Sequence, residues 1–310
     1  MSDKKQAEPA EATPRVQTHC GFCAIIGAPN AGKSTLVNQL TGSKVSIVSH
    51  KVQTTRARIR AIAMEGSTQI VLVDTPGIFK PRRMLDKAMV ANAWGGAGDA
   101  DAVVLLVDGR PGVTDESKEI MAQLKATGTK AMLVINKIDL MARDKLLETA
   151  QAFNAEFDFE QTFMVSALNG SGTDDLRKAM AAKMPPGPWL YPEDQVADLQ
   201  LRFMAAEMTR EKIYERLHEE LPYASTVETE GWEERKDGSV KIDQVIYVER
   251  DSQKAIVLGK GGAQVKLIGQ LARAEMEKEF GRKVHLFLFV KVRENWTEDK
   301  ERLRMMGLDI

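Results

Sequence analysis

Phe22-Cys23-Ala24-Ile25-Ile26-Gly27-Ala28-Pro29-Asn30-Ala31-Gly32-Lys33-Ser34-Thr35 is the stretch whose reading decides the fold. Its first five residues form an unbroken apolar run, as a strand buried on both faces requires. From Gly27 the chain fits G-x-x-x-x-G-K-[ST], and Lys33–Leu40 then reads as a helix. Small residues let the backbone curl around a phosphate chain, so that successive amide N–H groups and the helix N-terminus point at negative charge. In such a loop Lys33 offers a cation to the β- and γ-oxygens of a nucleotide, and Ser34 offers a hydroxyl to Mg²⁺. Gly27 to Thr35 is therefore the candidate phosphate site. A Gly-rich loop can match this pattern by chance, but a strand before it and a helix after it supply the context the chemistry needs.

Working outward, short apolar runs alternate with amphipathic stretches. Phe22–Gly27, Ile70–Val73, Val103–Val107, Met132–Ile135 and Phe163–Val165 read as buried strands, with Arg58–Met64 as an antiparallel edge. Lys33–Leu40, Asp115–Ala126, Asp144–Phe157 and Thr173–Met184 read as helices. The alternation predicts an α/β domain with a mostly parallel sheet covered by helices on both faces. Three further motifs stand at the C-terminal ends of these strands. Asp74-Thr75-Pro76-Gly77 places a carboxylate at the magnesium shell and a Gly amide near a γ-phosphate. Asn136-Lys137-Ile138-Asp139 offers a carboxylate to the paired N1 and N2 donors of guanine, an edge that adenine lacks. Ser166-Ala167-Leu168 brings backbone toward the guanine O6. Four segments in this order converge on one crevice.

The chain has 310 residues, which predicts two compact units. Hydrophobic residues make up 43% and charged residues 28%, the balance of a chain that buries sizeable cores rather than staying unfolded. The net charge of −1 means that any nucleic-acid surface must gather its positive charge locally. Cys20 and Cys23 are the only cysteines. With no second Cys or His pair to answer them, they read as strand residues rather than metal ligands, in a reducing compartment. No apolar stretch approaches a membrane span and no hydrophobic signal core opens the chain, so a cytoplasmic protein is expected. Peripheral contact with the inner membrane is compatible with that reading.

Residues 1–18 read as a disordered leader, 19–184 as the nucleotide domain and 185–197, with its Pro185-Pro186-Gly187-Pro188 cluster, as a linker. Residues 198–310 then read as an α+β domain of order α-β-β-α-α-β: a helix over Asp198–Glu220, strands Ser225–Glu234 and Val240–Arg250, two helices around Gly259-Lys260-Gly261-Gly262, and a strand Lys283–Val292. Glycines between two helices let backbone approach backbone without β-carbons in the way, which suits a ribose-phosphate chain. Lys260 and Lys266 can neutralise phosphates, and Ile256 and Val257, with Leu258, offer an apolar floor to unstacked bases. Such a turn is by itself a weak signal. Its place in this element order gives it the form of a type II KH domain. Arg273, Lys278, Arg282 and Lys283 extend the basic surface, or form only a solvated helix face.

The four nucleotide motifs together with the Gly259–Gly262 segment resemble the Era family of ribosome-assembly GTPases, over nearly the whole chain after the leader. The resemblance implies GTP and GDP as ligands and single-stranded 16S ribosomal RNA near its 3′ end as partner, bound by a monomer during maturation of the 30S subunit. It also implies that Gln53-Thr54-Thr55-Arg56 is a switch in which one threonine closes on Mg²⁺. Thr55 is the favoured choice and Thr54 the competing one. Lys33, Thr55 and Gly77 are the expected catalytic residues, and Ser34, Thr55 and Asp74 the expected metal set. Residue 78 is Ile, which cannot orient a water as a glutamine does, so hydrolysis by the protein alone should be slow. In relatives with a similar loop an Asn at position 30 helps to hold a K⁺ ion; Asn30 is equally suited to forming a turn. Phe79–Asp101, with Gly95-Gly96-Ala97-Gly98, is expected to move between nucleotide states. An alternative from another class keeps the GTPase but gives the C-terminal domain a protein or membrane surface as partner.

Overall fold

The computed structural model describes residues 17–49, 51, 54–56, 59–78, 84–193, 195, 197, 201–218 and 221–300. Gln53 of the switch, the segment 79–83, residues 198–200, and most of the leader lie outside the described residues. The N-terminal domain is a six-stranded sheet of order β2-β3-β1-β4-β5-β6, made of β1 (His19–Ile26), β2 (Ile59–Glu65), β3 (Thr68–Asp74), β4 (Ala102–Asp108), β5 (Met132–Asn136) and β6 (Thr162–Met164). Only β2 runs antiparallel, and it forms the edge, as its position in the sequence led us to expect. Helices α1 (Lys33–Thr41) and α5 (Thr173–Ala181) cover one face through Leu36, Val37, Leu40, Leu176 and Met180. On the other face α3 (Asp115–Thr127) and α4 (Arg143–Glu156) bury Ile120, Met121, Leu124 and Phe153. The strand order reverses around β1, and the crevice at its C-terminal end is where open sheets of this type bind ligands.

Two features differ from the sequence reading. The Gly95–Gly98 stretch is helical: it closes the helix α2 (Met84–Gly98), whose Leu85, Met89, Ala93 and Ala97 are buried. Burial of one face at a spacing of four outweighs the weak helix propensity of glycine. The leader also ends earlier than Thr18, because Thr18 Oγ1 donates to Gly187 O at 2.8 Å and Gly187 N returns a bond to Thr18 O at 3.0 Å.

Residues 185–191 act as a strap. Gln69, fully buried, accepts from the amides of Leu190 and Tyr191 through Oε1 at 2.9 and 3.0 Å and donates to Tyr191 O at 2.8 Å. One side chain thus satisfies three backbone groups that the proline cluster leaves without a ladder. Cys20 and Cys23 are buried strand residues, and burial pushes the Cys23 thiol up to about 12.

The C-terminal domain places α6 (Leu201–Arg216), α7 (Asp251–Leu258) and α8 (Ala263–Phe280) on one face of a three-stranded sheet of order β7 (Ser225–Glu234), β8 (Val240–Val248), β9 (Val284–Val292). β7 and β8 are antiparallel; β8 and β9 are parallel, as the crossover through two helices requires. Its core joins Ile213, Val227, Ile246, Val257, Ile268 and Val290. No helix among the described residues is long and apolar enough to cross a membrane.

Candidate functional site

The phosphate loop owes its shape to two glycines. A Cβ at Gly27 would lie 2.2 Å from Leu106 O, and one at Gly32 would lie 2.3 Å from Asn136 Nδ2 with φ at +101°. The first clash is with backbone, and the second position has a φ that side-chain-bearing residues rarely adopt, so both favour glycine. Helix α1 begins at Lys33 with no side-chain cap, which leaves its first amides open to an anion. Lys33 is buried and donates to Gly27 O and Ala28 O, each at 3.0 Å. Burial pushes its ammonium down to about 8, with the charge of Asp74 pulling the other way.

Three segments far apart in sequence meet on Asp74, at the end of β3. Ser34 Oγ donates to Asp74 Oδ2 at 2.9 Å and lies 2.8 Å from Thr55 Oγ1, while Thr55 Oγ1 is 3.5 Å from the same carboxylate oxygen. The side chains of Ser34, Thr55 and Asp74 are therefore brought together. Thr54, the competing choice, turns away to donate to Lys51 O at 2.7 Å. Asp74 Oδ1 is buried without a hydrogen bond, an orphaned acceptor of the kind a hard cation satisfies. Burial raises the Asp74 carboxyl, opposed by the hydroxyl of Ser46, the charge of Lys33 and the hydroxyl of Ser34. Ser46, which donates to Asp74 Oδ2 at 2.7 Å, was not foreseen; it belongs to no motif. In the Asp74–Gly77 loop, Thr75 spends its hydroxyl on Ile25 O at 2.8 Å, so its side chain fixes the loop to β1 rather than facing a nucleotide. Gly77 packs on Pro29, to which a Cβ would come within 3.0 Å. Ile78 lies in the apolar cluster on the α3 side of the sheet.

At the base end, Asn136 bridges two loops: its Nδ2 donates to Ala31 O at 2.8 Å and its Oδ1 accepts from Ala167 N at 2.9 Å. The Ala167 amide expected to reach guanine is thus engaged, while Leu168 N takes no partner among the described residues. Leu168 itself is 78% exposed, an apolar side chain open to a flat ring. Lys137 Nζ donates to Asn30 O at 2.7 Å. Asp139 is exposed and accepts no hydrogen bond from any described residue, so its carboxylate is free to take a ligand.

In the C-terminal domain Gly259, Gly261 and Gly262 have φ of 69, 61 and 79° in the turn between α7 and α8. Ile256 is 57% exposed beside it, and Lys260 and Lys266 are exposed. Val257 is fully buried among core residues, which removes it from the expected RNA-binding set: on a helix, residue 257 points about 100° away from residue 256. A cavity of about 500 Å³ next to the turn is walled by Arg216, His218, Leu221, Gln253 and Ile256. Arg216 ends α6 and His218 follows it; neither carries a local sequence signal.

The two domains meet on the switch segment. Arg56 is buried inside the C-terminal domain, donating to Ser225 O at 2.8 Å, Tyr214 Oη at 3.0 Å, and the carbonyls of Pro222 and Tyr223 at 3.3 Å, with its guanidinium 5.4 Å from the Trp296 ring. Glu211 of α6 accepts from Val48 N at 2.8 Å and pairs with Lys44 at 2.5 Å. Arg210 donates to Thr54 O, and Lys51 to Tyr214 O and Leu217 O.

Fold and site together define a P-loop guanine-nucleotide-binding protein whose second domain is of the KH type. A family model described as 50S ribosome-binding GTPase matches residues 22–137, and one described as KH domain matches residues 220–297. The GTPase Era of Afipia carboxidovorans is 63% identical over 292 residues, which cover 94% of this chain and 95% of that protein. The GTPase Era of Brucella suis is 61% identical over 297 residues, 96% of each. A crystal structure of Era in complex with MgGDPNP and nucleotides 1506–1542 of 16S ribosomal RNA superposes with a TM-score of 0.89 at 35% identity, covering 94% of this chain and 99% of that one. An Aquifex aeolicus Era variant bound to GDP·AlF4⁻ matches equally well, again at 35% identity and a TM-score of 0.89. The chain belongs to the Era family of GTPases.

Proposed function

We propose that this protein is a GTP-hydrolysing RNA-binding switch that acts in the cytoplasm, as a monomer, in assembly of the small ribosomal subunit, binding 16S ribosomal RNA near its 3′ end. The observation that carries the reading is the double attachment of one short segment. Thr55 joins Ser34 at Asp74, while its neighbours Thr54 and Arg56 are bonded to the C-terminal domain. A γ-phosphate that reorders Thr55 therefore acts on the packing of the KH domain as well.

In the nucleotide site, Gly27–Thr35 cradle the phosphates and Asp139 accepts the guanine donors. Ser34, Thr55 and the orphaned Asp74 carboxylate would hold Mg²⁺, which when bound neutralises charge on the phosphate oxygens. Lys33 and the loop amides stabilise the charge that builds on the transferring phosphoryl group. No side chain at position 78 can orient the attacking water, so the Gly77 backbone or a bound partner does so and intrinsic hydrolysis is slow. Asn30, at φ 61°, keeps its side chain clear of hydrogen bonds to the described residues and could hold a K⁺ ion beside the β- and γ-phosphates. On that reading GTP turnover is faster in KCl than in NaCl by about 10²-fold, the low end of what one preorganised charge or donor at the reacting centre supplies. Equal rates in the two salts would leave Asn30 as a turn former.

Gly259–Gly262, Lys260, Lys266 and Ile256 form the candidate contact with RNA. Replacing both Gly261 and Gly262 with Asp should weaken binding of a 16S 3′-terminal oligonucleotide at least about tenfold, because each change adds a β-carbon and a negative charge where a phosphate approaches. GDP binding should be unchanged. Fluorescence anisotropy with the labelled oligonucleotide and a GDP titration on the same sample give both readings. Retained RNA affinity would favour the reading in which this domain docks on a protein or membrane.

A further inference from the structure

The base end of the site holds a carboxylate that belongs to none of the four sequence motifs. Asp108 is the last residue of β4 and stands in register with Asn136 on β5. Its Oδ2 accepts from Lys137 Nζ at 2.8 Å, and the same ammonium donates to Asn30 O in the phosphate loop at 2.7 Å. Asn136 makes a parallel tie from its side chain to Ala31 O. Two adjacent residues of the base loop are thus bonded to two adjacent residues of the phosphate loop.

Lys137 makes its tie under strain. It is one of three non-glycine residues with positive φ among the described residues, at 66°, and its long stem carries enough rotamer freedom that one backbone carbonyl would hold it weakly. Asp108 supplies the second anchor. It is itself fixed on the other side by Arg110, which donates to Oδ1 from Nε at 3.0 Å and from its amide at 3.1 Å, and to Oδ2 from Nη2 at 2.6 Å. Burial alone would raise the Asp108 carboxyl, but hydrogen bonds from Arg110 and Lys137 outweigh it and hold it at about 2. It is therefore a full negative charge at any working pH. Gly109 N completes the corner by donating to Asn136 O at 3.0 Å.

We infer that Asp108 is a positioning residue for guanine-nucleotide binding: it holds Lys137 extended between the base loop and the phosphate loop. A nucleotide must engage both loops at once, with its phosphates at Gly27–Thr35 and its base at Asp139. A spacing between the loops fixed in advance spares the ligand the cost of ordering them. Without Asp108 the Lys137 ammonium would be free to leave the Asn30 carbonyl. The two halves of the site would then open independently, and the bound nucleotide would leave sooner.

The test is the release rate of fluorescent GDP from the full chain. Asp108→Ala should speed release about tenfold, as expected for loss of one charge-assisted hydrogen bond. Asp108→Asn, whose amide oxygen still accepts one bond, should fall between the parent and the alanine variant, and gives a reading even if the alanine variant does not fold. Neither change touches the transferring phosphate directly, so the effect should be larger in KM for GTP than in kcat. In a Lys137→Met background, Asp108→Ala should add nothing further, because its action runs through the lysine. Additive effects in that double variant, or a release rate equal to the parent's in both Asp108 variants, would overturn the inference. It rests on the base-site reading above: Lys137→Met with parental GDP release would sink that reading, whereas a large Lys137 effect beside silent Asp108 variants sinks this inference alone.

Discussion

Asp139→Asn should lower affinity for GDP by about 10⁴-fold and turn the site toward xanthine nucleotides. The carboxylate is exposed and accepts no hydrogen bond from any described residue, so its two oxygens are available to N1–H and N2–H₂ of guanine together. An asparagine keeps one acceptor for N1–H but sets an NH₂ group against the guanine N2 donors. Two donors then face each other in a closed site, and both lose their water. Xanthine carries a carbonyl in place of that amino group, so the same NH₂ finds an acceptor and the pairing is restored. Competition of unlabelled GDP and XDP against a fluorescent nucleotide measures the ratio directly. Unchanged preference for guanine would remove Asp139 from base recognition, and with it the assignment of the Asn136–Asp139 segment. Because the change lies far from Asp74, loss of GDP binding without gain of XDP binding would point to damage of the fold, which a melting curve identifies.

The nucleotide crevice was legible in the sequence because each of its parts is local. A buried strand, a turn with Gly at the required positions and a helix N-terminus leave their mark within a dozen residues, and the order of four such marks defines the sheet. What escaped was whatever depends on a distant neighbour. Helix α2 hides behind Gly95 and Gly96, yet Leu85, Met89, Ala93 and Ala97 recur every four residues, a pattern that could have revealed it. Ser46 reaches Asp74 only because the loop after α1 folds back, and Asp108 matters only once β4 and β5 lie side by side. The segment after the proline cluster reads as a bare linker, since nothing near Leu190 discloses that Gln69 bonds to it from 121 residues away. Val257 fell on the wrong side of α7 because an unbroken apolar run, Ile256-Val257-Leu258, carries no phase from which to choose the exposed residue.

Arg56 is the clearest case of such a distant dependence, and its removal should have the second large effect. Its cation is buried and donates through Nη1 and Nη2 to four oxygens, all from the C-terminal domain, while Nε takes no partner and the guanidinium lies 5.4 Å from the Trp296 ring. Arg56→Ala would leave three backbone carbonyls and the Tyr214 hydroxyl buried at the interface without this partner, and an empty space among them. Leaving a buried neutral acceptor without its donor costs about 1–3 kcal/mol, offset in part because the variant no longer buries a cation. Here the cost falls on the junction between two domains that each have a core of their own, so the expected result is separation of one thermal unfolding transition into two rather than loss of all structure. Nucleotide contacts at Lys33 and Asp139 remain, and GDP binding should persist. The coupling between sites should not. If Thr55 and the KH domain influence each other through this segment, RNA alters the affinity for GTP by the same factor that GTP alters the affinity for RNA. In Arg56→Ala that common factor should fall toward one while each ligand still binds on its own. A coupling factor unchanged from the parent, measured by titrating the oligonucleotide with and without a non-hydrolysable GTP analogue, would show that the domains communicate by another route. Lys44 with Glu211 and Glu275 would then be the next contacts to break.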